Sequence, residues 1–235
     1  MRGVLLGLAL AGLCVSGAIA QDERGSYVVQ HIKMADGKYI SQTVPYEPRA
    51  GDLFFFDEYK LHWVVLYKLV GSEGPHHSAL VFKKSNGEFA TVEAGPNDTT
   101  RCRILPLLPR LQDFKGTLHV RRVKTPISAE KEEALAKWAD ETNGKRYAAG
   151  RLCLQVTPFR CRGPLRREWF GATYTDRSAY MCAELAIAGG TIAGLFDPKK
   201  QPANSIYPRD IIYDDHYDLR GTHHEVELWS AYPLR

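Results

Sequence analysis

Cys182, His77 and Glu93 are of the residue types from which a thiol nucleophile, its proton acceptor and an orienting carboxylate are built. Cys182 lies in YMCAELAIAGG, close to the start of a run of small and apolar residues that reads as a helix. Unpaired N–H groups and the positive end of the helix dipole favour a thiolate at such a place. Ser178 or Asp176, within about one turn, offers an N-cap. The ordinary alternative for Cys182 is a small buried apolar residue, the commonest fate of a lone cysteine. Gly189 and Gly190 follow on the Cys182 side of the helix and permit close backbone packing.

A base for that thiol is sought first at GPHHSALVF, where His77 opens a strand-like run and His76 precedes it as a competing candidate. A histidine at strand onset is rigidly held while its ring stays at the sheet edge. The next run, TVEAGP, carries Glu93. With a three-residue loop at Ser85-Asn86-Gly87, Lys84 pairs with Glu88 and Ala79 with Glu93, so His77 and Glu93 share a face. With a two-residue Asn86-Gly87 turn they face opposite ways. The ordinary alternatives are a surface carboxylate and a strand-end histidine with its hydrogen bonds satisfied. The pairs His76-His77 and His223-His224 are the candidate metal ligands, but adjacent residues of a strand point to opposite faces and make no natural chelate. Neither a metal nor a cofactor is expected.

The elements that must position these residues follow from pattern. Ser26 to Val44 reads as a hairpin around Asp36-Gly37, whose glycine supplies a positive φ. Leu53 to Phe56, His62 to Val70 and Leu118 to Val123 are strand candidates, and His77 to Lys83 with Glu88 to Ala94 form an antiparallel hairpin. Ser128 caps a helix ended by Gly144. In the second helix Met181, Leu185, Ala188, Ile192 and Leu195 fall on one buried stripe. A closing segment, Asn204 to Tyr213, precedes a last strand at Glu225 to Trp229. Strands gathered first and helices after make an α+β arrangement with a mostly antiparallel sheet.

Residues 1–20, MRGVLLGLALAGLCVSGAIA, read as a signal peptide: an early Arg, a short apolar stretch and small residues at Ala18 and Ala20. Cys14 is preceded by Leu13 where lipid attachment wants a small residue, so a secreted or periplasmic protein without stable membrane insertion is expected. Residues 21–48 then form an extension and 49–235 one domain. The net charge of +4 gives no reason to expect nucleic acid. Cys102, Cys153, Cys161 and Cys182 remain after signal removal, and Cys153 with Cys161 is the first candidate bridge. Asn97-Asp98-Thr99 matches the glycosylation acceptor pattern.

RAGDLFFF, HHSALVF, TVEAG, GKRY and YMCAELAIAGG occur in an order that resembles the permuted papain-like amidases of the YiiX/YaeF type, relatives of the NlpC cell-wall peptidases. The resemblance runs from Arg49 to Asp215. It implies a circularly permuted papain-like (NlpC-type) fold with Cys182 as nucleophile, His77 as base and Glu93 as the orienting group. Gly51-Asp52 is then a structural turn, and Glu184 a helix-surface or structural residue. The substrate class implied is a peptide, peptidoglycan or lipid amide; a binding module on an inactive scaffold is the alternative. Ala183 replaces the family's Ser, and GKRYAAG lacks its Asp after the Tyr. The leading hairpin and the basic stretch Arg151 to Arg167 fall outside the motifs, as lid or substrate-binding additions or as solvated surface.

Overall fold

Two glycines set the turns from which the sheet grows. In the computed structural model, which describes residues 24–69, 72–95, 99–155, 157, 177–203, 206–214 and 217–234, Gly37 (φ 85°) and Gly87 (φ 88°) take the left-handed conformation. Each closes a three-residue loop, with the Met34 N–H donating to the Lys38 carbonyl at 2.7 Å and the Lys84 N–H to that of Glu88 at 2.8 Å. The strands they join are β1 (Tyr27–Lys33) with β2 (Tyr39–Pro45), and β4 (His77–Lys83) with β5 (Phe89–Ala94).

These pair with β3 (Leu53–Glu58), β6 (Cys102–Pro106), β7 (Gly116–Arg121) and β10 (Glu227–Ser230) in one eight-stranded sheet of order β2-β1-β10-β7-β3-β4-β5-β6. All its pairings are antiparallel. The leading hairpin is therefore the edge of this sheet, held through β10. A second, two-stranded parallel pair joins β8 (Arg146–Tyr147) to β9 (Ala179–Tyr180).

Because side chains alternate along a strand, β3 and β4 feed two cores. Leu53, Phe55, Leu80 and Phe82 pack with Leu135 and Trp138 of α3 (Ala129–Thr142) and with α5 (Cys182–Ile192). Phe54, Phe56, Ala79 and Val81 pack with Leu107 and Leu111 of α2 (Leu107–Asp113) and with Trp229. Ser128 caps α3, its Oγ accepting from the Lys131 N–H at 3.4 Å, and Gly144 follows the helix at φ 84°. No described helix is long and apolar enough to cross a membrane.

Some expectations are corrected. His62 to Val70 is no strand: Leu61–Leu69 forms helix α1. Both edges of β3 are already taken by β4 and β7, so the run that follows β3 finds no free edge beside it. The second helix ends at Ile192, with Gly194 at φ 72°, and Cys182 to Gly190 are buried all round rather than along one stripe. A Cβ on Gly189 would lie 2.3 Å from Leu80 Cδ2, and one on Gly190 2.1 Å from the Phe196 ring. The last strand begins at Glu227 instead of Glu225, and the closing segment contains α6 (Pro208–Ile212). Among the described residues Cys102, Cys153 and Cys182 form no disulfide with one another; Cys161, the Asn97 acceptor site and residues 1–20 lie outside them.

Candidate active site

The three-residue loop aligns Ala79 with Glu93, which puts His77 and Glu93 on one face of the β4–β5 pair. There His77 Nε2 meets Glu93 Oε2 at 2.5 Å, with His77 4% exposed and Glu93 fully buried. A second partner holds the same carboxylate. Arg110 of α2 donates from Nε to Oε1 at 2.7 Å and from Nη2 to Oε2 at 3.0 Å, its guanidinium lying 4.5 Å above the Phe56 ring centre. Arg103 Nε stands 3.9 Å from the same Oε1.

Charge in this group is strongly coupled. Burial alone would raise the Glu93 pKa, but hydrogen bonds and charge from His77 and Arg110 outweigh it and hold the carboxyl at about 2. Burial likewise opposes a charged His77, yet hydrogen bonding and charge at Cys182 and Glu93 lift the imidazole to about 9. Cys182 is the first residue of α5 and 3% exposed. Its backbone N–H, in the first turn, has no acceptor within the helix. With Nε2 on Glu93, Nδ1 is the ring nitrogen left for the thiol; it lacks a partner of full hydrogen-bond geometry, as catalytic pairs often do before substrate binds.

His77 and Cys182 line a shared cavity that encloses about 10 Å³. Trp63 and Tyr67 of α1 form one wall, Tyr147 of β8 and Leu152 of α4 (Ala149–Leu154) another, and Glu58 and His76 complete it. His76 is not an exposed neighbour: its side chain is 8% exposed, Nδ1 is 3.0 Å from Asp57 Oδ1, and Tyr67 meets its ring edge to face at 4.9 Å. Burial lowers its pKa against the pull of Asp57 and Glu58.

The helix that presents Cys182 is anchored by Glu184. This residue is buried instead of on the helix surface. It accepts from the Met181 N–H at 2.9 Å and from Arg151 at 3.0 and 2.8 Å, with Arg177 at 3.7 Å. Met181 is accordingly the N-cap position, not Ser178, which precedes β9; Asp176 lies outside the described residues. Arg151, first of the basic stretch, is thereby a clamp on α5, while residues 158–167 are not described. Asp52 accepts from Tyr46 Oη at 2.7 Å, the Val123 N–H at 2.7 Å and the Arg49 N–H at 3.0 Å, and burial raises its carboxyl to about 6 against those bonds. With Gly51 at φ 101°, this pair ties a turn, and neither residue lines the thiol cavity.

Arg110, Trp63 and Tyr67 escape sequence reasoning. The aromatic-rich run around the last two was the available signal, but it read as a strand; nothing local marks Arg110. Among the described residues no group of three or more His, Cys, Asp or Glu is gathered to hold a metal. His223 instead hydrogen-bonds the Gly51 carbonyl at 3.1 Å, and burial lowers it to about 4.

No protein-family model matches this chain, and no curated protein does. Among solved structures, four chains match. One is YiiX of Escherichia coli O157:H7, described as a metalloprotein. The two share 17% identity at a TM-score of 0.45, over 72% of this chain and 93% of that one.

Proposed function

We propose that this protein is a cysteine hydrolase of amide or ester bonds, with Cys182 as nucleophile, His77 as base and Glu93 as the group that orients His77. The observation that carries this reading is the buried His77–Glu93 hydrogen bond, beside a thiol at the first position of a helix. His77 Nδ1 takes the proton from Cys182 Sγ, and a ring lifted to about 9 keeps that proton through the neutral range. The sulfur attacks the carbonyl carbon, and the Cys182 N–H donates to the developing oxyanion. Collapse breaks the bond to the leaving amine or alcohol, which receives the proton from His77. Water, deprotonated by His77, then attacks the acyl-sulfur carbon, and the thiol is restored as the acid leaves.

The permuted papain-like resemblance supports the same assignment, and with it a peptide, peptidoglycan or lipid amide as substrate. Export, with removal of residues 1–20, is supported by the Ala18-x-Ala20 pattern. Cys182→Ala is expected to abolish both turnover of an activated ester and covalent labelling by an acyl probe, while the urea unfolding midpoint stays near that of the parent. Labelling that persists at Cys102 overturns the assignment. A parallel His77→Ala variant is expected to shift the pH dependence of thiol alkylation; the same shift from His76→Ala instead moves the base by one residue.

A further inference from the structure

The cavity over Cys182 has room for about one water molecule, so no substrate carbonyl reaches the sulfur until a wall moves. One wall is α1, which sends Trp63 and Tyr67 inward, with Tyr67 against Tyr207. Its other side is unusual for a surface helix. Leu61 is 75% exposed, Val65 46% and Leu69 69%, and their i, i+4, i+8 spacing makes one outward stripe. Tyr59, just before the helix, is 69% exposed. Lys68 lies beside Leu61 on the helical wheel and His62 flanks the far side of the stripe; both are exposed. From Tyr59 to Leu69 there are two lysines and no acidic residue; Lys60 is paired with Glu58, while Lys68 stands exposed beside the stripe.

We infer that the outer face of α1 docks on an anionic lipid–water interface, and that docking there draws α1 aside and opens Cys182 to substrate. The composition decides the occupant: apolar side chains to enter the acyl boundary, the exposed ring of Tyr59 suited to headgroup depth, and the exposed Lys68 beside the stripe to meet anionic lipid. A groove for a soluble peptide would need polar partners along its floor, whereas Leu61, Val65 and Leu69 present none and polar groups stand only at the flanks, at His62 and Lys68. The movement is the ordinary one of a short helix gating a buried site, and α1 also borders the thiol cavity through the side chains it would withdraw. This inference rests on the reading of Cys182 as nucleophile only for its consequence, access; the docking surface itself does not.

The mature chain is mixed with vesicles of phosphatidylcholine alone or with added phosphatidylglycerol, and two things are measured: co-sedimentation, and the rate of Cys182 alkylation by iodoacetamide. Co-sedimentation with the anionic vesicles is expected, with alkylation faster by about tenfold. Leu61→Glu combined with Leu69→Glu should remove both effects while leaving the vesicle-free alkylation rate unchanged. Lys68→Gln should weaken anionic binding by about fivefold and leave neutral vesicles unaffected. Failure of the parent chain to sediment with either vesicle, or equal binding by the double glutamate variant, overturns the inference. So does a dimer in sedimentation velocity that the double variant abolishes, because a second copy would then be the occupant. Vesicle binding retained by Cys182→Ala supports the surface even if that variant keeps its turnover and the hydrolase reading fails. Cys182-dependent turnover without vesicle binding sinks the surface alone.

Discussion

Glu93 and Glu184 are held by the same device and differ in what lies beyond it. Each is buried to within 1% exposure, and each receives an arginine fork, Arg110 at 2.7 and 3.0 Å on one and Arg151 at 3.0 and 2.8 Å on the other. The remaining capacity of Glu184 goes to a backbone N–H, that of Met181, so the pair locks the start of α5. The remaining capacity of Glu93 goes to a titratable ring that shares a cavity with a thiol. An arginine fork on a buried carboxylate is thus structural by itself. It becomes chemical only when the carboxylate's other oxygen contact is a group that exchanges protons.

Substitutions separate the two. Glu93→Gln should lower kcat by roughly 10³-fold or more, since an amide no longer holds the imidazolium and His77 loses its orientation; single-turnover acylation measures it. Should that variant keep parental rates, the comparison collapses and both glutamates are structural. Glu184→Ala should instead cost about 3 kcal/mol of stability in urea unfolding, the lower end for a broken buried pair because the Arg151 side chain is 24% exposed. Its folded fraction should keep the parental pH profile.

The arginines sharpen the contrast further. Arg110→Gln removes a cation that holds Glu93 ionised, so the acidic limb of the alkylation profile should move to higher pH and the rate fall by about tenfold. Arg110→Lys, keeping charge without the fork, should restore the limb more than the rate. Arg151→Gln should move neither. An Arg151 variant that shifted the limb would show that α5 transmits charge to the thiol, contrary to the local reading.

The smallest effect is on stability against pH. His77 is raised from 6.5 to about 9, so its contribution is full below pH 6.5 and is lost as pH rises through 9. Glu93 is lowered from 4.5 to about 2, so its contribution is full above pH 4.5 and is lost as pH falls through 2. Between about pH 4.5 and 6.5 both are in force, so the gap in unfolding midpoint between the parent and a His77→Gln, Glu93→Gln double variant should be largest there. In His77→Gln the alkaline decline from 6.5 to 9 should flatten.

Much of the scaffold was legible because its signals are local. Asp36-Gly37 and Asn86-Gly87 each put a glycine in the left-handed conformation where a hairpin loop closes, and Ser128 and Gly144 bracket α3 for equally local reasons. The failures come from segments whose local preference was overruled. The run Leu61–Leu69 carries valine and aromatic residues suited to a strand, yet it is helical because β3 already had neighbours on both sides. Glu184, expected at the helix surface or in a structural role, takes the structural one; only Arg151, distant in sequence, makes its burial tolerable.

The chain alone limited the β4–β5 hairpin to two registers and put His77 and Glu93 on one face in that of the three-residue loop; the structure selects this one, with Ala79 opposite Glu93. The chain also determined that a thiol would stand in a small-residue helix able to pack closely. Tertiary structure alone decided that Arg110 reaches Glu93 from α2, that Cys182 begins α5 beside His77, and that α1 walls off the cavity between them. Those outcomes depend on which elements bury one another's faces, and such contacts, made between residues far apart in sequence, leave no mark in any short stretch of it.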